Sequence, residues 1–172
     1  ATGSCAAPLW SDADLDLHRL VLFVGHDFDP RLRFFSEIEI EHVHEVGIEQ
    51  AYVDYALAGE ALTLRTGILL VPLGIINQRH EPTVLHGVER PTVDRRIVPS
   101  TWSEGGVGVA GRVNAWRYQF YVVGGLDAGG FSAANALRGG RQDVGEARAR
   151  GLAVTGRLEW EPTLGTVAGV AA

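Results

Sequence analysis

Three glutamates, Glu37, Glu39 and Glu41, occupy alternate positions in the stretch RFFSEIEIEH at 33–42, with isoleucine between them. Paired carboxylates can act as acid and base across a glycosidic bond. On one strand face, however, such neighbours lie about 7 Å apart and share one environment, so a solvated acidic wall explains them more simply. Two histidine groups invite a metal reading: His42 with His44, and His80 with Glu81, His86 and Glu89. Neither has the H-E-x-x-H spacing that sets two imidazoles on one helix face, so hydrogen-bonded loop histidines are expected. Ser36, Ser100, Ser103 and Ser132 lack a G-x-S-x-G setting and a neighbouring base. The stretches GGLDAGG and LRGGR lack the Walker and dinucleotide patterns. The residues therefore predict no enzyme, no catalytic residue, no metal site and no cofactor.

What remains is charge. All 15 cationic side chains are arginine, and the formal net charge is −6. That balance argues against a nucleic-acid partner. The question becomes which elements hold the arginines and carboxylates, and on which side.

Period-two alternation runs through the chain from Asp16 onward, and no helical period of 3.6 competes with it. Strands are predicted at 17–26, 31–43, 48–57, 61–71, 101–112, 116–124 and 151–161, with an eighth starting near Thr166. They run about ten residues, longer than the usual strand of about five or six and the length that crosses a bilayer at a tilt. Tight turns are expected at 27–30, 58–60, 113–115 and 162–165. Between them come a modest link at 44–47 and long connections at 72–100 and 125–150. In an up-and-down meander the short turns then gather at one end and the longer connections at the other, an asymmetry typical of outer-membrane barrels. The expected fold is all-β: an antiparallel up-and-down transmembrane β-barrel, present in part as seven to eight strands of a larger barrel.

The composition is compatible with this. Hydrophobic residues are 46% and mean hydropathy is +0.06, and no apolar run approaches the length of a spanning helix. The single cysteine, Cys5, cannot form an internal disulfide. The first ten residues lack the basic start and apolar core of a signal peptide, and with no methionine anywhere the chain reads as processed or as a piece of something longer. Residues 1–15 are expected to be a loose N-terminus and 16–172 the barrel wall.

Each strand divides into two faces. Ile38 and Ile40 oppose Arg33, Glu37, Glu39 and Glu41; Val53 and Tyr55 oppose Asp54; Leu64 and Ile68 oppose Arg65. Tyr118 and Phe120 oppose Arg117, and Leu158 and Trp160 oppose Arg157 and Glu159. The apolar faces suit hydrocarbon, where an arginine at mid-bilayer costs about 2–4 kcal/mol. Trp102, Trp116 and Trp160 suit interfacial girdles. The ionic faces then line water, with Arg33, Glu37, Glu39, Glu41, Asp54, Arg65, Arg112, Arg117 and Arg157 as pore-lining residues. A two-residue turn at 59–60 places Asp54 opposite Arg65. A turn at 114–115 places Arg112 opposite Arg117, a repulsive pair for which Glu159 is a candidate offset.

The connection at 72–100 carries prolines at 72, 82, 91 and 99 that forbid regular pairing, together with apolar pairs such as Ile75-Ile76 that call for a surface to pack on. With Pro72 to Gly74, Asn77, His80-Glu81-Pro82, Gly87 to Pro91, and Pro99 to Trp102 followed by Glu104, Gly106 and Gly108, it resembles the phosphate-selective porin O and P family of Gram-negative outer membranes. GGLDAGGFSAANALRGGRQ at 124–142, and SEIEIEH followed by EQAYVDY, match in the family's order. The resemblance covers most of 18–161 and is to the N-terminal half of such a porin. It implies a passive outer-membrane channel for small hydrophilic solutes, including anions such as phosphate, surrounded by outer-membrane lipid and trimeric at full length. It also implies that 72–100 folds inward from the extracellular side, making Arg79, His80, Glu81, Arg90, Arg95 and Arg96 constriction-loop residues. These arginines tilt selectivity toward anions, while Glu81, Glu89 and Asp94 pull it back. The competing expectation is a soluble β-rich ligand-binding or structural domain with its apolar faces turned inward.

Overall fold

The computed structural model describes residues 17–80, 82–84, 91–92, 101–142, 144–145 and 151–172. The expected loose N-terminus 1–15 lies outside them, as do Glu81, Arg90, Arg95 and Arg96.

Eight strands form one antiparallel sheet in strict chain order. They are β1 (Arg19–Asp27), β2 (Leu32–Glu41), β3 (Glu45–Ala56) and β4 (Thr63–Leu70), then β5 (Ser103–Val113), β6 (Trp116–Gly124), β7 (Leu152–Thr163) and β8 (Thr166–Ala171). The sheet is open, with β1 and β8 as its edges. No helix among the described residues is long and apolar enough to cross a membrane.

Short turns link β1 to β2, β3 to β4, β5 to β6 and β7 to β8, all at one end of the sheet. At the first, Asp29 Oδ1 accepts from the amides of Arg31 and Leu32 at 2.6 and 2.9 Å, an Asx turn that fixes the reversal. Asn114 takes a positive φ of 53° in the two-residue turn between β5 and β6, a conformation asparagine tolerates well. The other end carries 42–44, 71–102 and 125–151. The 44–47 link is shorter than expected, because β3 already begins at Glu45. The 58–60 turn is wider, spanning 57–62. The intended register survives the widening, and Asp54 stands opposite Arg65.

Burial runs opposite to the pattern of a soluble domain. Glu37 is 1% exposed and Glu104 0%, whereas Phe120 is 51% exposed and Leu158 43%. Leu22, Leu64, Val107, Val154 and Val170 are exposed on the same side as Phe120. The buried apolar cluster is small: Leu69, Val71, Tyr121 and Val123, flanked by Tyr52, Leu73, Trp102 and Ala153. It sits on the ionic side, beneath the long connections.

Candidate functional site: the ionic face and the segment folded across it

The sheet register brings the charged residues of seven strands onto one face. One row runs Asp27, Arg33, Asp54, Arg65, Gly108, Tyr121, Thr155 across β1 to β7. Its first four members alternate in sign, so each charge has an opposite neighbour on the adjoining strand. Arg65 donates from Nε and Nη2 to the two oxygens of Asp54, each at 2.7 Å. Its guanidinium carbon lies 4.0 Å from the centroid of the Tyr52 ring, and Nη1 approaches the Tyr121 hydroxyl at 3.4 Å. Planar guanidinium suits both the bidentate carboxylate and the aromatic face. Gly108 lets the neighbouring strand and the Tyr121 ring approach closely: a Cβ there would stand 2.1 Å from the Phe120 carbonyl oxygen and 2.5 Å from the Tyr121 ring.

A second row sets Arg112 opposite Arg117 and Arg117 opposite Glu159. Acidic neighbours on β7 offset the repulsion. Arg117 lies 3.6 Å from Glu159 and 3.3 Å from Glu161, and Arg112 lies 3.9 Å from Glu161. Glu159 also accepts from Arg157 at 2.6 Å. At the far end, Arg19 pairs with Glu39 and with Glu41.

Residues 71–80 of the first long connection cross this face. Asn77 anchors it: Nδ2 donates to the carbonyls of Val71 (2.7 Å) and Trp102 (2.9 Å), and Oδ1 accepts from the Trp102 amide at 2.7 Å. One side chain thus joins the exit of β4 to the approach to β5. Gln78 reaches Gln119 on β6 at 2.6 Å, and Arg157 on β7 donates to the Gly74 carbonyl. His80 is buried against the wall, its Nε2 2.7 Å from Glu49 Oε2 and 3.7 Å from Glu37 Oε1. The second long connection closes beside it, with the Gln142 amide and the Trp102 indole both donating to Glu104 Oε1.

Between segment and sheet runs a groove of about 310 Å³ lined by Arg65, Arg79, Arg117 and Arg157, with Glu159 as its carboxylate. Gln50, Gln78, Gln119 and Tyr121 supply neutral polar walls. Arg65 is paired with Asp54, Arg117 with Glu159 and Glu161, and Arg157 with Glu159.

The residues expected to line water, Arg33, Glu37, Glu39, Glu41, Asp54, Arg65, Arg112, Arg117 and Arg157, share the ionic face. Of the expected constriction residues, Arg79 lines the groove and His80 is packed against β2 and β3. Trp116 and Trp160 stack at 6.2 Å on the apolar face beside the tight turns. Trp102 departs from the girdle expectation: its indole turns to the ionic side and packs on the small core. His42 and His44 sit in an exposed turn, His44 Nδ1 against the His42 carbonyl. Glu49 was missed. Strict alternation from Gln50 puts it on the apolar face, but a bulge between Glu37 and Ile38 pairs Gln50 with Glu37 and Ile48 with Ile38. The extra residue, Glu49, is re-aimed to the ionic side.

An open antiparallel meander with an ionic face, an apolar face and a segment pinned across the ionic one is the class the fold defines. The chain is 42% identical over 157 residues to a protein of Aquifex aeolicus (strain VF5) described as an uncharacterized protein. The alignment covers 86% of this chain and 36% of that protein, so the chain spans about a third of its relative's length. No protein-family model and no solved structure matches the chain.

Proposed function

We propose that the chain forms part of the wall of an outer-membrane β-barrel pore that passes small hydrophilic solutes and favours anions such as phosphate. The observation that carries this reading is the inverted burial. Glu37, Glu104 and Glu159 are enclosed while Leu64, Phe120 and Leu158 face outward. A bilayer makes such an arrangement stable, since its hydrocarbon is as apolar as leucine and water remains inside. Unpaired edges are not viable in lipid, so β1 and β8 must be completed by further strands. The greater length of the Aquifex relative leaves room for them. The resemblance to the phosphate-selective porin O and P family supports the same reading and adds a trimer. Passive diffusion needs no catalytic residue and no cofactor.

In the pore, 71–80 narrows the lumen and the arginine groove is what a passing anion meets. The intact protein, reconstituted in planar bilayers under a potassium chloride gradient, should show a reversal potential displaced toward the chloride equilibrium. A clear cation preference contradicts the anion part; no conductance contradicts the pore. The competing reading, a soluble β-rich binding or structural domain, requires a second layer over Leu22, Ile38 and Phe120. Recovery of the intact protein without detergent would favour that reading.

A further inference from the structure

Glu37, Glu49 and His80 come from β2, the bulge in β3 and the crossing segment, and all three are buried. They present one donor atom each, and these atoms lie within 4.8 Å of one another. The imidazole is oriented from outside the group. His80 Nδ1 stands 3.0 Å from the Asn77 carbonyl, which can only accept, so Nδ1 carries the hydrogen. In the neutral ring Nε2 is then a lone pair directed at two carboxylates. Glu37 is oriented in the same way, because the Gln50 amide donates to its Oε2 and leaves Oε1 toward His80.

We propose that Glu37 Oε1, Glu49 Oε2 and His80 Nε2 form a site for a divalent transition-metal ion, with Zn²⁺ as the best chemical match. One ion bound at about 2.0–2.2 Å from each donor can serve all three after small carboxylate rotations. One imidazole and two carboxylates suit zinc better than calcium or magnesium, which prefer oxygen alone. The outer partners have the form metal sites use: imidazole N–H on a backbone carbonyl, carboxylate on an amide. The sequence spacing hides the set, because the donors lie at 37, 49 and 80 and one depends on a bulge. The ion would fasten 71–80 to the wall, whatever solute passes.

The test is calorimetric titration of Zn²⁺ into the intact, chelator-treated protein in detergent, with Co²⁺ absorption as a report on ligand geometry. The wild type should bind one Zn²⁺ per chain that His80→Ala and Glu49→Gln lose, while His44→Ala in the exposed turn keeps it. Gln50→Ala retains all three donors and should weaken binding by about 10–100-fold, the usual cost of an outer partner. That variant keeps the test decisive if the ligand variants fail to fold. No Zn²⁺ binding by the wild type, or binding that His80→Ala or Gln50→Ala leaves unchanged, overturns the site. None of these readings depends on conductance.

Discussion

Arg65 and Asp54 face each other across β3 and β4 through two parallel hydrogen bonds of 2.7 Å, on the side of the sheet opposite Leu64 and Val53. The pair is mostly screened from solvent by Tyr52 and Tyr121, yet it borders the groove. Arg65→Gln and Asp54→Asn should each destabilise the intact protein by about 1–3 kcal/mol, since each leaves one charge without its partner. The double variant should lose less than the sum. Thermal unfolding of the four proteins measures the coupling. In single channels, Asp54→Asn should raise anion preference and Arg65→Gln lower it.

Glu159 and Glu161 hold Arg112, Arg117 and Arg157 in a repulsive group. Neutralising both as Glu159→Gln, Glu161→Gln should move the reversal potential further toward anions. The Glu161 change alone should cost under about 1 kcal/mol, because its arginine partners are half-exposed. A shift toward cations contradicts the assignment of this face to the lumen.

Asn77 ties the crossing segment to both flanking strands with three hydrogen bonds. Asn77→Ala should cost about 1–3 kcal/mol for the polar groups left unsatisfied, and 71–102 should become a faster site of limited proteolysis. Asn77→Asp keeps the acceptor for the Trp102 amide but loses both donors, so it should behave like alanine. In conductance recordings both variants should show a wider, noisier pore. Unchanged proteolysis and conductance would remove Asn77 from its anchoring role.

The apolar side gives a depth-dependent expectation. Phe120→Arg, mid-strand in β6, should impair folding into lipid bilayers by about 2–4 kcal/mol, and Trp160→Arg near the tight turns by about 0–1 kcal/mol. Equal costs at the two positions, measured by denaturant titration in vesicles, contradict a lipid-facing surface.

Much of this arrangement was legible in the residues. Alternation assigned faces for β2, β3 from Gln50 onward, β4, β6 and β7, because Ile38, Val53, Leu64, Tyr118 and Leu158 each have a charged neighbour one position away, and turn positions fixed the opposition of Asp54 with Arg65 and of Arg112 with Arg117. The eighth strand completes as Thr166–Ala171 where only its start was read. Two features resisted, each for a physical reason. Glu49 broke the period, since one extra residue in a bulge reverses the side of its neighbour and no local propensity marks it. Trp102 follows a proline-bearing connection, and its direction is set by Asn77 and Glu104, which lie far apart in sequence. The contact of His80 with Glu37 and Glu49 is likewise tertiary, so the loop histidine was legible and its partners were not.

The most direct measurement is a spin-label scan of β6 in the intact protein in membranes, with Cys5 replaced by serine and one cysteine placed at each position from 116 to 123. Collision with oxygen reports lipid, and collision with a water-soluble nickel chelate reports solvent. Positions 116, 118, 120 and 122 should peak with oxygen and 117 and 119 with the chelate, two period-two waves of opposite phase, while 121 and 123, buried beneath the long connections, should be low with both. Oxygen and chelate accessibility rising together, or both low at 118 and 120 as in a dry protein core, would contradict the orientation from which the pore is inferred.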